Sequence, residues 1–445
     1  MTDRLPRVVG PATTVLFVVG WIIGSGIFRL PAEVAVRTGT PELTLLWWAL
    51  GAVFALAGAC CYAELGTRLP RSGGEFVYLN AAFGPGLAFL FGWCNLVFAG
   101  PASIAAVART FADYAATLVT LTEWERRGAA ATLIAVHTLI ALRSTRAGAR
   151  VMSIATLGKL LAIAVVVLAA FLLPVHVVPL PDVSRAAPSA TDLALGFTAI
   201  IFAYKGFQSI ALLGGEVRDP QRSLPMGLVG GTALVGVAYL LLNGAFLRVL
   251  GFEGVRASTA VAAEAMRGVL GPAGARFVAV LVLTATFGTV SAQMLGFPRL
   301  AFAMAEERLF FRRFASLSRW HTPWQAVLLV GSMSVGLVLS GSYASLIRLA
   351  VLAIYPLTAV TVYATVRLRH RDGPPSWSMP LYPLPLVIFV ASVAIVSLFS
   401  FTGDPKSFAL SIGATLLGVP VYWLWTRYFR TPLPALVRTS APGDP

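Results

Sequence analysis

The heptapeptide FAYKGFQ, residues 202–208, lies between two apolar runs, ATDLALGFTAII and SIALLGG. A charged side chain in the middle of a membrane costs about 2.5–3.5 kcal/mol on insertion scales. A glycine inside a helix costs about 1 kcal/mol relative to alanine. Lys205 and Gly206 together therefore predict a membrane helix that is broken for a functional reason.

Apolar stretches long enough to cross a bilayer, about 20 residues each, recur from end to end. We predict about twelve spans, near residues 12–36, 44–67, 85–110, 128–142, 151–173, 191–217, 225–249, 276–300, 324–341, 343–366, 383–402 and 407–428. A second interruption, Gly24-Ser25-Gly26, lies in the first span, five spans before Lys205. Matching breaks are typical of transporters built from two inverted repeats, whose broken helices bind the substrate. A tight helix-packing face is the alternative interpretation of the first break.

Composition supports a membrane protein, since 57% of the residues are hydrophobic and 12% are charged, against roughly 25% charged in soluble domains. The net charge of +15 is concentrated as arginine in the short loops that follow even-numbered spans. Positive charge marks the cytoplasmic side of a membrane protein. We therefore expect a multi-pass protein of the inner (cytoplasmic) membrane with both termini in the cytoplasm, and no binding of nucleic acid.

Residues that would support catalysis or metal binding are scattered. The four histidines are isolated, and neither an HExxH nor a GxSxG motif is present. No GxxxxGK[ST] motif is present for an ATP-driven pump. The three cysteines lie in apolar spans without metal-ligand spacing. The sequence predicts neither an enzyme nor a cofactor nor a metal site.

Four stretches carry motifs of a known family: GSGIF (24–28), YAELGTRLPRSGGEFVYL (62–79), GGEVRDPQRSLP (214–225) and PRLAFAMAEERL (298–309). In this order they resemble the amino acid–polyamine–organocation (APC) superfamily, and within it the bacterial relatives of the L-type amino acid transporters. The resemblance covers nearly the whole chain. It implies an all-α integral membrane fold with a 5+5 inverted repeat, discontinuous helices 1 and 6, two extra C-terminal helices and alternating access.

The resemblance also divides the chain into segments. We expect a cytoplasmic N-terminus (1–11), a first inverted repeat (12–173), an extracytoplasmic loop (174–190), a second inverted repeat (191–366), two further spans (383–428) and a cytoplasmic tail (429–445). The segment GEFVYLNAAFG (74–84) reads as a short amphipathic helix along the membrane surface. Glu64 and Glu216, at the ends of their spans, are expected to cap helices or to pair with loop arginines.

The resemblance implies a substrate site at the two breaks. Backbone amides of Gly24, Ser25, Gly26 and Ile27 would bind the substrate carboxylate, as helix N-termini bind anions. Carbonyl groups of Ile22, Ile23, Phe202, Ala203 and Tyr204 would bind its amino group, beside Lys205 and Gly206. Phe202 also resembles the aromatic gate that closes over the substrate from outside.

Lys159 lies within the fifth span and is one of three lysines in the chain. Buried lysine can release a proton, whereas arginine stays charged. In sodium-independent relatives, a lysine at the matching place occupies the position where sodium-driven relatives of this fold hold Na⁺. The resemblance thus implies coupling through Lys159, by donation to carbonyls near Gly20 and Trp21. Snorkelling of Lys159 to the cytoplasmic face is the alternative.

Lys205 departs from the family pattern, which often has an acidic or small residue at this place. Three interpretations are open: it favours an acidic or neutral substrate, it is a second titrating group, or it points away and pairs with a neighbour such as Gln208.

The resulting hypothesis is a secondary active transporter that moves amino acids without sodium, by proton symport or by exchange, with neutral or acidic substrates favoured. Transport of a non-standard amine or an amine conjugate is an alternative, and a non-transporting receptor or membrane enzyme is the rival class. The loop TLVTLTEWERRG (117–128) lacks the cysteine that joins animal L-type transporters to a heavy chain. We therefore expect the lipid bilayer, the substrate and, in the symport mode, protons as partners, without a disulfide-linked subunit.

Overall fold

The structure is a computed structural model that describes residues 5–24, 26–174, 187–340, 343–403 and 405–429. Within these ranges the regular secondary structure is helical, apart from two isolated bridges, Val9–Val217 and Ser72–Leu213. Most of the predicted loop 174–190 and of the predicted tail 429–445 lies outside the described residues, as does Ser25.

The helices of the first half are α1 (Pro11–Ile22), α2 (Gly26–Thr38), α3 (Pro41–Arg68), α4 (Glu75–Phe83), α5 (Pro85–Ala115), α6 (Glu123–Arg143) and α7 (Thr145–Leu172). Those of the second half are α8 (Ala190–Ala203), a 3-10 helix (Phe207–Leu212), α9 (Pro220–Ala257), α10 (Val261–Leu270), α11 (Pro272–Glu306), α12 (Trp324–Ser340), α13 (Tyr343–Asp372), α14 (Leu384–Gly403), α15 (Pro405–Leu416) and α16 (Gly418–Tyr428).

Among the described residues, seven helical stretches are long and apolar enough to cross a membrane. They are α3, α5, α7, α9 and α11, together with Ala190–Leu212 and Phe408–Tyr428. The helices α1 and α12 and residues Leu384–Phe399 are apolar but shorter. The prediction of an all-α membrane protein is confirmed, while the count of about twelve spans stays a prediction.

Both interruptions that the sequence predicts are present in the backbone. Helix α1 ends at Ile22 and α2 begins at Gly26, so the first span is discontinuous. Helix α8 ends at Ala203, and the chain continues as a 3-10 helix after Gly206, whose φ is +117°. A β-carbon at Gly206 would lie 2.4 Å from Cδ1 of Trp21, so only glycine fits this turn. The two breaks therefore contact each other.

Helix α11 lies in the middle of the fold, where it packs on α7, α5 and α1. The close approach of α1 to α7 depends on Gly20, because a β-carbon there would lie 2.3 Å from Oγ1 of Thr156. This contact brings the broken end of α1 within reach of side chains on α7.

The amphipathic character expected of residues 74–84 is wrong, while their position along the membrane surface stays a prediction. Helix α4 packs on α5, α11 and α13, and the side chains of Glu75, Phe76 and Tyr78 are buried. The N–H groups of Gly73 and Gly74 donate to the carbonyls of Leu212 and Ala211, each at 3.1 Å. These bonds hold the start of α4 against the second half of the broken sixth span.

Candidate substrate-binding site

A cavity of about 130 Å³ lies between the two breaks. Its wall includes Ile22, Gly24, Gly26, Phe202, Ala203, Lys205 and Gly206 from the predicted set, with Trp21, Glu75, Asn95, Ser103, Gln208, Ser209, Thr289 and Gln293 among the other members. This volume is smaller than the roughly 300–1,000 Å³ of pockets for drug-sized ligands. The cavity fits a small polar molecule.

Not every predicted residue reaches the cavity. Ile23 and Ile27 are fully buried beside it, so their side chains belong to the core. Tyr204 is buried as well, and its hydroxyl donates to the carbonyl of Trp48 at 3.2 Å, away from the cavity wall. The side chain of Tyr204 therefore packs the helices together, and only its backbone lies near the break.

The first break offers both backbone donors and backbone acceptors. Helix α2 begins at Gly26, so its free N–H groups face the gap left by the end of α1. The hydroxyl of Tyr239 lies within hydrogen-bonding distance of the carbonyls of Ile22 (3.1 Å) and Ala203 (3.3 Å). The carbonyl of Ile22 also accepts from the N–H of Gly24 at 2.8 Å, so both of its lone pairs are used. Tyr239 thus ties the two breaks together, and the carbonyl of Ala203 keeps a lone pair that can accept from a ligand.

Phe202, the predicted gate, lines the cavity and is 40% exposed. An aromatic ring that had closed over a bound substrate would be largely buried. In this structure the ring of Phe202 therefore does not close the cavity, and its role as a gate stays a prediction.

Lys159 is fully buried rather than extended to a membrane surface. Its ammonium donates to the carbonyls of Gly20 (3.0 Å) and Ile23 (2.7 Å) and to the hydroxyl of Thr289 (3.3 Å). Both carbonyls belong to the end of α1, where the helix leaves them without an intrahelical donor. The ammonium therefore links α7 and α11 to the first break in the way that a bound cation would.

Lys205 lines the cavity and is partly exposed to it. Its ammonium makes no hydrogen bond or ion pair with the residues that the structure describes. It also borders a second cavity of about 10 Å³, with Phe207, Tyr355 and Phe389 in its wall. Of the three interpretations of Lys205, a hydrogen bond to Gln208 is not formed.

Glu75 is a cavity residue that the sequence analysis missed. It is the first residue of α4, it is 4% exposed, and its carboxylate accepts a hydrogen bond of 3.2 Å from the hydroxyl of Tyr62. The sequence did contain a signal for this burial, the pair Gly73-Gly74 directly before Glu75. Glycines permit the close backbone approach that brings the start of α4 against the broken sixth span. Amphipathicity pointed to the membrane surface instead.

Ion pairs join the helix ends that carry Glu64 and Glu216, as expected for these two residues. Arg299 donates to Glu216 (2.8 and 3.3 Å) and to the hydroxyl of Thr145 (2.7 Å), with both charged side chains fully buried. Arg369 donates to both carboxylate oxygens of Glu64. These pairs lie outside the cavity wall and connect the helices that surround it.

Among the described residues, no group of three or more His, Cys, Asp or Glu side chains could hold a metal ion. The polar groups of the cavity are instead backbone amides and carbonyls, two charged side chains and several amides and hydroxyls. This arrangement can bind a small zwitterion, but it offers no pair of nucleophile and base for covalent chemistry.

Comparison with known proteins agrees with this geometry. Residues 9–424 match the sequence profile of the family described as "Amino acid permease". The chain is 30% identical to the "Serine/threonine exchanger SteT" of Bacillus subtilis (strain 168), over 95% of this chain and 97% of that protein. It is 28% identical to the "b(0,+)-type amino acid transporter 1" of Mus musculus, over 96% of this chain and 89% of that protein. It is also 28% identical to the human "Cystine/glutamate transporter", over 98% and 90%.

Proposed function

The chain belongs to the amino acid permease family, and from that premise we propose that it exchanges amino acids across the membrane without sodium. It is a multi-pass membrane transporter of the APC superfamily and not an enzyme. One observation carries the proposal: the buried ammonium of Lys159 binds the carbonyls of Gly20 and Ile23 at the broken end of α1. With a fixed cation already on these oxygens, the site does not need Na⁺.

The two breaks supply complementary groups for an amino acid. The N-terminus of α2 favours the carboxylate, because its N–H groups and helix dipole attract anions. The carbonyls of Phe202 and Ala203 favour the ammonium group, beside the end of α1 at Ile22, and Phe202 closes over the bound molecule. Lys205 adds a positive charge, which favours neutral or acidic side chains over cationic ones.

Exchange is favoured over proton symport because the relative from Bacillus subtilis carries the name exchanger. Proton symport through Lys159 is the alternative mode, since a buried lysine is a group whose charge can be lost and regained. The two differ in one respect: an exchanger needs an amino acid on the far side of the membrane, and a symporter needs a proton gradient.

The arginine-rich loops favour an orientation with both termini on the cytoplasmic side of the inner (cytoplasmic) membrane. Helices 12–173 and 191–366 form the two inverted repeats, and 383–428 form the two additional spans. The chain works without a disulfide-linked heavy chain, because loop 117–128 contains no cysteine.

The experiment is counterflow into liposomes that contain the purified protein and an unlabelled amino acid, in sodium-free buffer. We expect uptake of a labelled neutral or acidic amino acid that depends on the internal amino acid. Lys159→Ala should reduce this uptake about tenfold or more, because hydrogen bonds to a charged group contribute about 1.5–3 kcal/mol each. The matched control is Lys406→Ala, an exposed lysine at the start of α15, which should leave uptake unchanged.

Four outcomes would contradict the proposal. Uptake that requires sodium would refute the role of Lys159, and so would equal activity of the two lysine variants. Uptake driven by a proton gradient into empty liposomes would replace exchange by symport. Absence of counterflow for every amino acid would refute amino acid exchange and lead to amines and amine conjugates.

A further inference from the structure

Two side chains of opposite charge face the same cavity without touching each other. Glu75 comes from the start of α4 and Lys205 from the break after α8. They interact electrostatically, but no ion pair within 4.0 Å joins them in the described part of the chain. Both residues contribute to the wall of the cavity, so a ligand in the cavity can approach both charged groups.

We propose that Glu75 and Lys205 together select the substrate side chain and favour a neutral one that both donates and accepts hydrogen bonds, such as a hydroxyl or a carboxamide. This inference rests on the proposed amino acid exchange and narrows its substrate class. Lys205 alone would favour acidic substrates, but Glu75 balances its charge. The pair makes the cavity polar and close to neutral.

Unpaired polar atoms beside the pair support this choice. The side-chain carbonyl oxygens of Gln208 and Gln293 are buried, and neither has a hydrogen-bond partner among the described residues. Both residues line the cavity. A substrate hydroxyl or amide can donate to such an oxygen or to Glu75, and accept from the ammonium of Lys205. A site that leaves buried polar groups unpaired disfavours ligands that cannot reach them.

Each of the other classes of side chain leaves polar groups without partners or brings like charges together. An aliphatic side chain leaves the ammonium of Lys205 and the two amide oxygens without partners. An acidic side chain pairs with Lys205 but approaches the carboxylate of Glu75. A cationic side chain pairs with Glu75 and approaches Lys205. Like charges held close together cost free energy in a site of low dielectric constant.

The charge state of Glu75 decides the conditions of the test. Burial raises the pKa of the Glu75 carboxyl to about 7, and the hydrogen bond from Tyr62 acts in the opposite direction. A carboxyl group is mostly ionised above its pKa, so the assays are run at a pH of about 7.5.

The test measures how amino acids of four classes compete with the labelled substrate in counterflow: hydroxyl or carboxamide, aliphatic, acidic and cationic. Hydroxyl or carboxamide amino acids should compete best with the unchanged protein. Glu75→Gln should improve acidic competitors on the order of tenfold, because it removes the unit charge that repels a substrate side-chain carboxylate. Lys205→Gln should improve cationic competitors by a similar factor.

The double variant Glu75→Gln, Lys205→Gln tests the pair as a pair. Because it removes both charges, it should lose the gains of the two single variants and discriminate again against acidic and cationic amino acids. Tyr355→Phe is the matched control, since it changes the wall of the smaller cavity beside Lys205 and leaves both charges in place. It should keep the selectivity of the unchanged protein.

Each result bears on one of the two proposals. If counterflow shows the same order of competitors in all variants, selection by Glu75 and Lys205 is refuted, while amino acid exchange stands. A change of charge preference in Tyr355→Phe refutes the pair, because Lys205 would then act through the smaller cavity. A wild-type preference for aliphatic or acidic amino acids also refutes it. Absence of any wild-type counterflow refutes the exchange itself. If one single variant fails to fold, the other single variant and the double variant still test whether removal of the second charge abolishes the gain from removal of the first.

Discussion

The buried ion pair between Arg299 and Glu216 yields a quantitative prediction for stability. Both side chains are fully buried, and the guanidinium donates to both carboxylate oxygens. Glu216→Ala leaves the charge of Arg299 with the hydroxyl of Thr145 alone. Breaking a buried pair from one side costs about 3–5 kcal/mol, because the remaining charge is desolvated and uncompensated.

This free energy converts into a shift of the melting temperature. Unfolding entropy is about 2.1 cal/mol/K per residue, or about 0.9 kcal/mol/K for a chain of 445 residues. Glu216→Ala should therefore lower the melting temperature by about 3–5 °C, as measured by tryptophan fluorescence of the purified protein in detergent. Joint replacement by Glu216→Leu and Arg299→Met should recover most of the loss, since no charge then stays buried.

The matched control is the ion pair of Arg37 and Asp192, whose side chains are 35% and 42% exposed. Exposed pairs contribute about 0–1 kcal/mol. Asp192→Ala should lower the melting temperature by at most about 1 °C by the same conversion. Equal shifts for Glu216→Ala and Asp192→Ala would refute the argument that burial makes the Arg299 pair costly to break.

Two further predictions concern the breaks. Gly206→Ala should reduce exchange about tenfold or more and lower the melting temperature, because alanine disfavours the left-handed backbone and its β-carbon would meet Trp21. Gly413→Ala, which has open space at the β-carbon, should change neither, and equal effects would contradict the steric argument. Tyr239→Phe should raise the KM of exchange about two- to tenfold, the loss of one hydrogen bond of about 0.5–1.5 kcal/mol to the carbonyls of the breaks. An unchanged KM would show that this hydroxyl does not organise the site.

The positions of the breaks and of Lys159 could be predicted from the sequence because their signals are local. Glycines inside an apolar run, and a lysine in a chain that otherwise uses arginine, stand out without knowledge of the fold. The resemblance predicted that the ammonium of Lys159 donates to a carbonyl near Gly20, and the structure has this hydrogen bond to Gly20 at 3.0 Å. Its second acceptor is Ile23 rather than Trp21.

Glu75 and Tyr204 could not be placed from the sequence, because burial depends on which helices meet. Glu75 reads as the polar side of a surface helix until α4 is seen to pack on α5, α11 and α13. Tyr204 reads as a cavity residue because it adjoins the break, yet its ring packs against Trp48 and Tyr239. Periodicity gives the side of a helix that is apolar but does not give the neighbour that covers it.

The two backbone hydrogen bonds from Gly73 and Gly74 to Leu212 and Ala211 have a consequence for alternating access. They join the start of α4 to the second half of the sixth span, and Glu75 follows directly after them. We therefore expect a displacement of that half-helix during transport to shift the carboxylate of Glu75. If Glu75 selects the substrate as proposed, the selectivity of the site would then differ between its two access states.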